Sequence, residues 1–357
     1  MTSLKLGLIG CGRIAQLVHL NVIRQLPNSE LIALAEPDPK RREEASKLVP
    51  KAIAFESYNE LLSMPEVEAV IICLPNNLHA EATVTALEHG KHVYLEKPLA
   101  TSLKEAQGVL EAWRRADLVG MVGFNYRFNA FYKAARQHIE SGRLGELVCV
   151  RSVFSTATRT LPTWKQARER GGGALLDLAS HHIDLVRFIS GEEIQEVFAR
   201  VWLQQSEDDC AMLQLRLANG LLVQSFFSLS AVEEDRFEIY GMEGKLTIDR
   251  YLSFDVEITD PTAEFARLKW LGRMFQSLFH SPYLKERIFS PGSEPSYKAA
   301  LNHFVTAVRK KQPTSPDFWD GYQSLAVIEA AEESARIQRV VSLADFVKED
   351  FNYQYSE

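Results

Sequence analysis

The chain has 357 residues, 46% of them apolar and 24% charged, with 40 Lys and Arg against 47 Asp and Glu. That length predicts about two domains of roughly 100–200 residues each, and the net charge of −7 excludes a general nucleic-acid binder, which needs a basic face. Cys11, Cys73, Cys149 and Cys210 show no CxxC spacing and a strand begins by Lys5, so free thiols, no signal peptide and a soluble cytoplasmic protein are expected. The longest apolar runs, such as AVIICLP, fall far below the ~20 residues that span a bilayer, so no membrane partner is expected.

The first part of the chain alternates strand and helix. LKLGLIG (4–10) predicts a buried strand and 13–26 a helix. ELIALAE (30–36) predicts a second strand, followed by a helix from Pro39 to Leu48. AIAF precedes a helical YNELLSM; AVIICLP (69–75) is a strand, 78–89 a helix, HVYLE a strand, 102–115 a helix and LVGMVGF a strand. Short apolar strands separated by amphipathic helices predict a parallel sheet covered on both faces.

After Phe124 the pattern changes. A helix is expected over 130–141, a strand at ELVCVRSVFS, an irregular stretch to Gly173, and a helix from Leu175 to Ile189. EVFARVWL, CAMLQLRL, LLVQSFFSLS, RFEIYGM and GKLTID follow as strands without helices between them, which predicts a largely antiparallel sheet. ANG before Leu221 signals a hairpin. Residues 259–295 fit no element and read as an excursion from the sheet, and helices over 296–310 and 320–338 close the chain.

Three stretches carry chemistry. Gly10-Cys11-Gly12-Arg13-Ile14-Ala15 follows the first strand; glycines there allow a tight turn and close backbone approach to a pyrophosphate, with helical N–H groups just beyond. An ordinary strand-to-helix turn has the same look. Glu36, 24 residues past Gly12 at the end of the second strand, favours the dinucleotide reading, because a carboxylate there accepts the ribose hydroxyls of adenosine. HVYLEKPLA (92–100) starts as an apolar strand and breaks into Glu96, Lys97 and Pro98. Charges at the end of a buried strand are costly without partners or a chemical task, although a snorkelling lysine is the bland reading of the tripeptide alone. In DLASHHID, a helix puts Asp177, His181 and Asp184 on one face and turns His182 toward Leu178 and Leu185. His181 is then the functional candidate, with Asp177 to fix its tautomer, and His182 a packing residue. A Zn²⁺ or Mn²⁺ site from Asp177, His181 and Asp184 is the competing reading.

GLIGCGRIA, AEPDPKR, CLPNNLHAE, EKPLA, GFNYRFN and GGGALLDLASHHIDLVRFISG occur in order across nearly the whole chain. On these motifs the chain resembles the Gfo/Idh/MocA family, the glucose–fructose oxidoreductases, inositol dehydrogenases and their relatives. The resemblance implies an α/β fold class: an N-terminal Rossmann dinucleotide-binding domain, residues 1–123, and a C-terminal α/β domain with a large, mostly antiparallel open sheet, residues 124–357, for substrate binding and oligomerisation. It implies that Lys97 assists catalysis at the nicotinamide end of the cleft, often with the Lys–Pro bond in cis, and that Asp177 and His181 transfer protons. Lys97 then supplies the positive charge a metal would bring, so no metal is expected.

The cofactor residues implied are Gly10, Gly12, Arg13, Ile14, Glu36, Leu74, Pro75, Asn76, His79, Glu96 and Lys97. The implied substrate residues are Tyr126, Arg127, Trp164, Lys165, Asp177, His181 and Tyr297; for Trp164 simple packing is an equal reading. The acid that often follows the family tyrosine by three residues is Ala300 here. The glycines of RERGGGA are expected to admit substrate or nicotinamide, or to form a hinge. The activity implied is NAD(P)-dependent hydride transfer at a secondary alcohol or ketone of a sugar, sugar derivative or cyclitol. NAD is preferred over NADP because Glu36 repels a 2′-phosphate. Lys97 and His181 are expected to meet across the cleft, and a homodimer or homotetramer is expected through the open sheet face. The alternatives are an NAD-assisted glycoside hydrolase and a non-catalytic dinucleotide-binding regulator.

Overall fold

The computed structural model describes residues 3–158, 160, 162–261 and 294–346, so most of the 259–295 stretch lies outside the described residues. The chain divides into two compact units, one within 1–128, 169–171 and 290–325, the other within 129–168, 172–289 and 326–357.

In the first unit, β1 (Leu4–Ile9), β2 (Ser29–Ala35), β3 (Ile53–Phe55), β4 (Ala69–Ile72), β5 (His92–Leu95) and β6 (Gly120–Val122) form one sheet in the order β3-β2-β1-β4-β5-β6. Every pairing is parallel. This is the doubly wound order of dinucleotide-binding sheets. The central strands are apolar on both faces because helices cover both; every residue of β4 is buried. Helix Pro39–Leu48 starts where Asp38 accepts from the Arg41 N–H, and Leu103–Ala116 starts on a Ser102/Glu105 capping box.

The helix Ser296–Lys310 joins this unit too. Ala300, Leu301, Phe304 and Val308 pack into the core formed by Leu6, Leu8, Ile71 and Tyr94. The compact units therefore do not follow one cut after residue 123, since a late helix returns to the first sheet. The expected 13–26 helix is also shorter and irregular. Residues Ala15–His19 form a wide turn, with the Leu20 N–H reaching five residues back to the Ala15 carbonyl, and Leu20–Ile23 continue as α-helix.

The second unit is built on eight strands. They are β7 (Leu147–Ser155), β8 (Ile194–Trp202), β9 (Cys210–Leu217), β10 (Leu222–Ser228), β11 (Glu234–Gly241), β12 (Gly244–Asp249), β13 (Glu257–Thr259) and β14 (Val341–Ser342), in the order β13-β12-β11-β7-β10-β9-β8-β14. All pairings are antiparallel except β7 with β10. The ANG turn joins β9 to β10, with Gly220 at φ +87°. One face of the sheet is apolar, carrying Val150, Phe154, Phe227, Phe237 and Ile239. A second wide turn, Leu175–Ala179, opens the helix Ser180–Ser190.

Candidate active site

The sheet of the first unit carries one group of the predicted residues. Ala35 pairs with Ile9, Ile9 with Ile72, Ile72 with Leu95, and Leu95 with Val122, so five strands end in one row. The next residues, Glu36, Gly10, Cys73, Glu96 and Gly123, form a second row stitched by backbone bonds. Gly10 N–H donates to Ala35 O, Cys73 N–H to Ile9 O, Glu96 N–H to Ile72 O and Gly123 N–H to Leu95 O, at 2.7–3.0 Å. The glycine loop, the Leu74-Pro75-Asn76 turn and Glu96-Lys97 thus leave neighbouring carboxyl ends of one sheet, where such folds bind ligands.

Gly10 stands at φ +87°, and a Cβ there would lie 2.7 Å from the Cys73 carbonyl oxygen. No other residue fits that turn without strain. A Cβ on Gly12 would meet nothing within 4 Å, so that side of the loop is open. Glu36 is buried and bound to the loop itself: Oε2 accepts from the Cys11 N–H at 2.8 Å and Oε1 from the Asp38 N–H at 3.1 Å. A carboxylate oxygen has two lone-pair directions, so each retains capacity for a ribose hydroxyl. Burial, and then the Glu36 charge, pushes the Cys11 thiol up to about 12, so it stays a thiol. Arg42 donates to the Glu36 and Pro37 carbonyls, while Lys40 and Arg41 are exposed, as is Arg13. Ile14 packs partly into the core.

Beyond β4, Asn76 is buried and donates its amide to Gly171 O at 2.8 Å. His79, expected as a cofactor ligand, is buried with its ring between two carbonyls, Nδ1 2.6 Å from Pro98 O and Nε2 2.9 Å from Leu74 O. Burial lowers its pKa, against the pull of those two carbonyls toward the charged form. His79 ties the Leu74 turn to the Lys97-Pro98 turn. The Lys97–Pro98 bond is cis and Lys97 is half-buried. Tyr126 and Arg127 are buried; the Arg127 guanidinium makes a bidentate pair with Asp320 at 2.8 and 3.1 Å and donates to Ser315. An arginine expected at substrate is thus a tie within the first unit. Tyr297 packs against the core of the first unit, its ring edge-on to His19 at 5.8 Å.

Sequence reasoning passes over His19. It is fully buried, and its Nε2 lies 2.6 Å from Glu96 Oε1. The signal was a histidine inside the apolar run AQLVHLNVI, where an uncompensated polar ring is costly.

The second unit holds the other predicted residues. Lys165 Nζ lies 2.8 Å from both oxygens of Asp177, which is buried. The lysine expected at the sugar is therefore the charge partner of the expected catalytic acid. His181 is 9% exposed, on the first turn of its helix, with the Phe154 ring 6.3 Å away. Asp184 is buried, with Arg187 one turn on at 4.0 Å. His182 is the packing residue expected: it stacks on Phe154 at 5.4 Å and meets Asp235 Oδ1 at 3.1 Å. Trp164 lies in the short turn Thr163–Gln166, and its side chain is outside the described residues. Two of the three glycines, Gly171 and Gly172, serve the chain's own close approaches. A Cβ on Gly171 would lie 2.5 Å from Asn76 Cβ, and one on Gly172 2.3 Å from Lys165 O. No metal-holding group of His, Cys, Asp and Glu occurs among the described residues.

Comparison with known proteins finds matches in both parts of the chain. Residues 4–124 match the family model described as an oxidoreductase family with an NAD-binding Rossmann fold, and residues 132–247 match the GFO/IDH/MocA C-terminal domain. The chain belongs to the GFO/IDH/MocA family. It is 27% identical over 353 residues to myo-inositol 2-dehydrogenase of Thermotoga maritima, covering 96% of this chain and 100% of the relative. It is 30% identical over 247 residues to 1,5-anhydro-D-fructose reductase of Ensifer adhaerens, covering 67% and 74%. Levoglucosan dehydrogenase in complex with NADH and levoglucosan superposes with a TM-score of 0.83 at 25% identity, covering 96% of this chain and 100% of that one. As a member of the GFO/IDH/MocA family, the chain is an NAD-dependent oxidoreductase, and the open glycine loop with its bound Glu36 fits a dinucleotide.

Proposed function

We propose that this oxidoreductase acts on a secondary alcohol or ketone of a sugar, sugar derivative or cyclitol, with NAD as the preferred cofactor. The carrying observation is the strand-end row, which puts the glycine loop, Glu36 and Glu96-Lys97 at adjacent carboxyl ends of one sheet. Relatives named inositol, levoglucosan and anhydrofructose enzymes support the polyol class. Gly10, Gly12, Arg13, Ile14, Glu36 and the 74–76 turn hold the dinucleotide, and His79 holds that turn. When bound, NAD supplies the two-electron acceptor. The protein's own task is the proton. His181 takes it from the substrate hydroxyl, imidazole being the side chain whose unperturbed pKa of about 6.5 lies near neutral pH. Asp177 orients His181 and is itself fixed by Lys165. Lys97 donates a hydrogen bond to the substrate oxygen as negative charge develops there. The first unit serves the dinucleotide; the second serves substrate and assembly.

A homodimer or homotetramer forms through the outer face of the second sheet. Val153, Phe226 and Met212 stand in one row there, Leu222 lies further along it, Met212 and Leu222 are more than half exposed, and such surface is unusual on a monomer. Light scattering at micromolar concentration that finds only monomer removes this part. The activity is tested with NAD and a panel of inositols, anhydrosugars and aldoses carrying deuterium at the carbinol carbons. The expected result is NADH formation with deuterium in the reduced dinucleotide, and a loss of roughly 10²–10⁴ in kcat for His181→Ala. Bond cleavage in glycosides without net NADH would replace this reading.

A further inference from the structure

The contact between His19 and Glu96 has no role assigned above. His19 ends the wide turn that follows the glycine loop, is fully buried, and is caged by the rings of Tyr94 at 5.9 Å and Tyr297 at 5.8 Å, both edge-on. Its Nε2 is 2.6 Å from Glu96 Oε1, and Nδ1 has no hydrogen-bond partner among the described residues. A carboxylate oxygen accepts, so the contact takes the form of an Nε2–H donating to Glu96. Glu96 is the residue before Lys97, and its other oxygen lies beside Gly123, where an added Cβ would come within 3.2 Å of it. A buried carboxylate next in sequence to an ammonium contributes to that ammonium's charge setting, and the direction in which it is held sets how much.

We propose that His19 is a positioning residue for Lys97: its Nε2–H fixes the direction of the Glu96 carboxylate and thereby the charge setting and aim of the Lys97 ammonium. The inference rests on the reading of Lys97 as the group that meets the substrate oxygen. A bond between the helix after the glycine loop and the strand end beside Lys97 also ties the dinucleotide loop to the reacting end. Buried imidazole needs a reason in an apolar cage; leucine would fill the same space more cheaply if packing were the only task.

The test is a double-mutant cycle with His19→Leu, His19→Gln and Lys97→Ala, measured on a turned-over polyol. His19→Leu removes the donor while filling the cage, and is expected to lower kcat by up to about 10²-fold, the scale of small misplacements of a reacting group. His19→Gln keeps an Nε2–H donor and restores most of that loss. In the Lys97→Ala background, His19→Leu costs less than about twofold, since its effect passes through Lys97. In cofactor-free protein, acetylation of Lys97 by acetic anhydride, read by mass spectrometry, changes rate in His19→Leu and returns toward normal in His19→Gln. Additive losses in the cycle, or near-normal kcat in folded His19→Leu, overturn the proposal. If His19→Leu does not fold, the cycle is run with Glu96→Gln and the same criterion of non-additivity decides it. Near-normal turnover by Lys97→Ala alone would instead remove the catalytic reading, and this inference with it.

Discussion

The helix after the glycine loop and the helix that carries His181 begin alike. Each follows a glycine-bearing stretch at positive φ, and each opens with a wide turn whose N–H reaches five residues back, Leu20 to Ala15 and Ser180 to Leu175. Such turns are rare and gather at functional sites. Each also brings a buried histidine to a buried carboxylate, His19 to Glu96 just past β5 and His182 to Asp235 on β11. They differ in how the carboxylate is completed. Asp235 also accepts from Arg250 Nε at 2.6 Å, with the Tyr132 hydroxyl at 3.4 Å. Burial alone raises its pKa, but Arg250 and then His182 hold it well below the ordinary carboxylate range. Glu96 meets His19 and then leads straight into Lys97. On the proposed reading, a pair closed by a second cation serves the stability of its unit, whereas the pair beside Lys97 serves the reaction.

The largest expected effect falls on the closed pair. Asp235→Ala leaves the buried His182 and the partly buried Arg250 without their partner and should cost about 3–5 kcal/mol in urea unfolding. An effect below about 1 kcal/mol would erase the contrast with Glu96. The same carboxylate gives an acid signature. Its folded pKa is depressed below the 3.8 of the unfolded chain, so its contribution is full above about pH 4 and is lost as pH falls below that. Unfolding curves at successively lower pH should therefore steepen their loss in the natural protein and not in Asp235→Asn.

Gly172→Ala places a Cβ 2.3 Å from the Lys165 carbonyl, which is backbone and yields only by shifting the chain that holds Asp177. A loss of about 1–3 kcal/mol in stability is expected, together with a kcat loss. Unchanged turnover would detach Lys165 from the site. The smallest effect is at the adenosine end. Glu36→Ala should reduce the NAD over NADP ratio of kcat/KM by about tenfold, or ~1.4 kcal/mol, with Arg42 already engaged by backbone carbonyls. A preference for NADP in the natural protein would overturn this role for Glu36.

The glycine loop, Glu36 and the strand–helix alternation were legible because each is a local pattern whose period or spacing follows from backbone geometry. His182 was separable from His181 by helical angle alone. The partners were not legible: Asp320 lies 193 residues after Arg127 and Asp235 lies 53 after His182, and pairing at such separation is set by packing, which no local pattern records. Arg127, His79 and Lys165 were read toward ligands, and the structure gives each a protein partner. The return of Ser296–Lys310 to the first sheet was hidden likewise, since its apolar face fits either core.

The most direct measurement is on Lys97→Ala: single-turnover reduction of NAD by an accepted polyol, alongside NAD affinity by fluorescence titration. The account predicts a fall of roughly 10²–10⁴ in the rate of NADH formation, with NAD affinity changed by less than about threefold because the glycine loop and Glu36 hold the adenosine half. A variant that reduces NAD at close to the natural rate would contradict it.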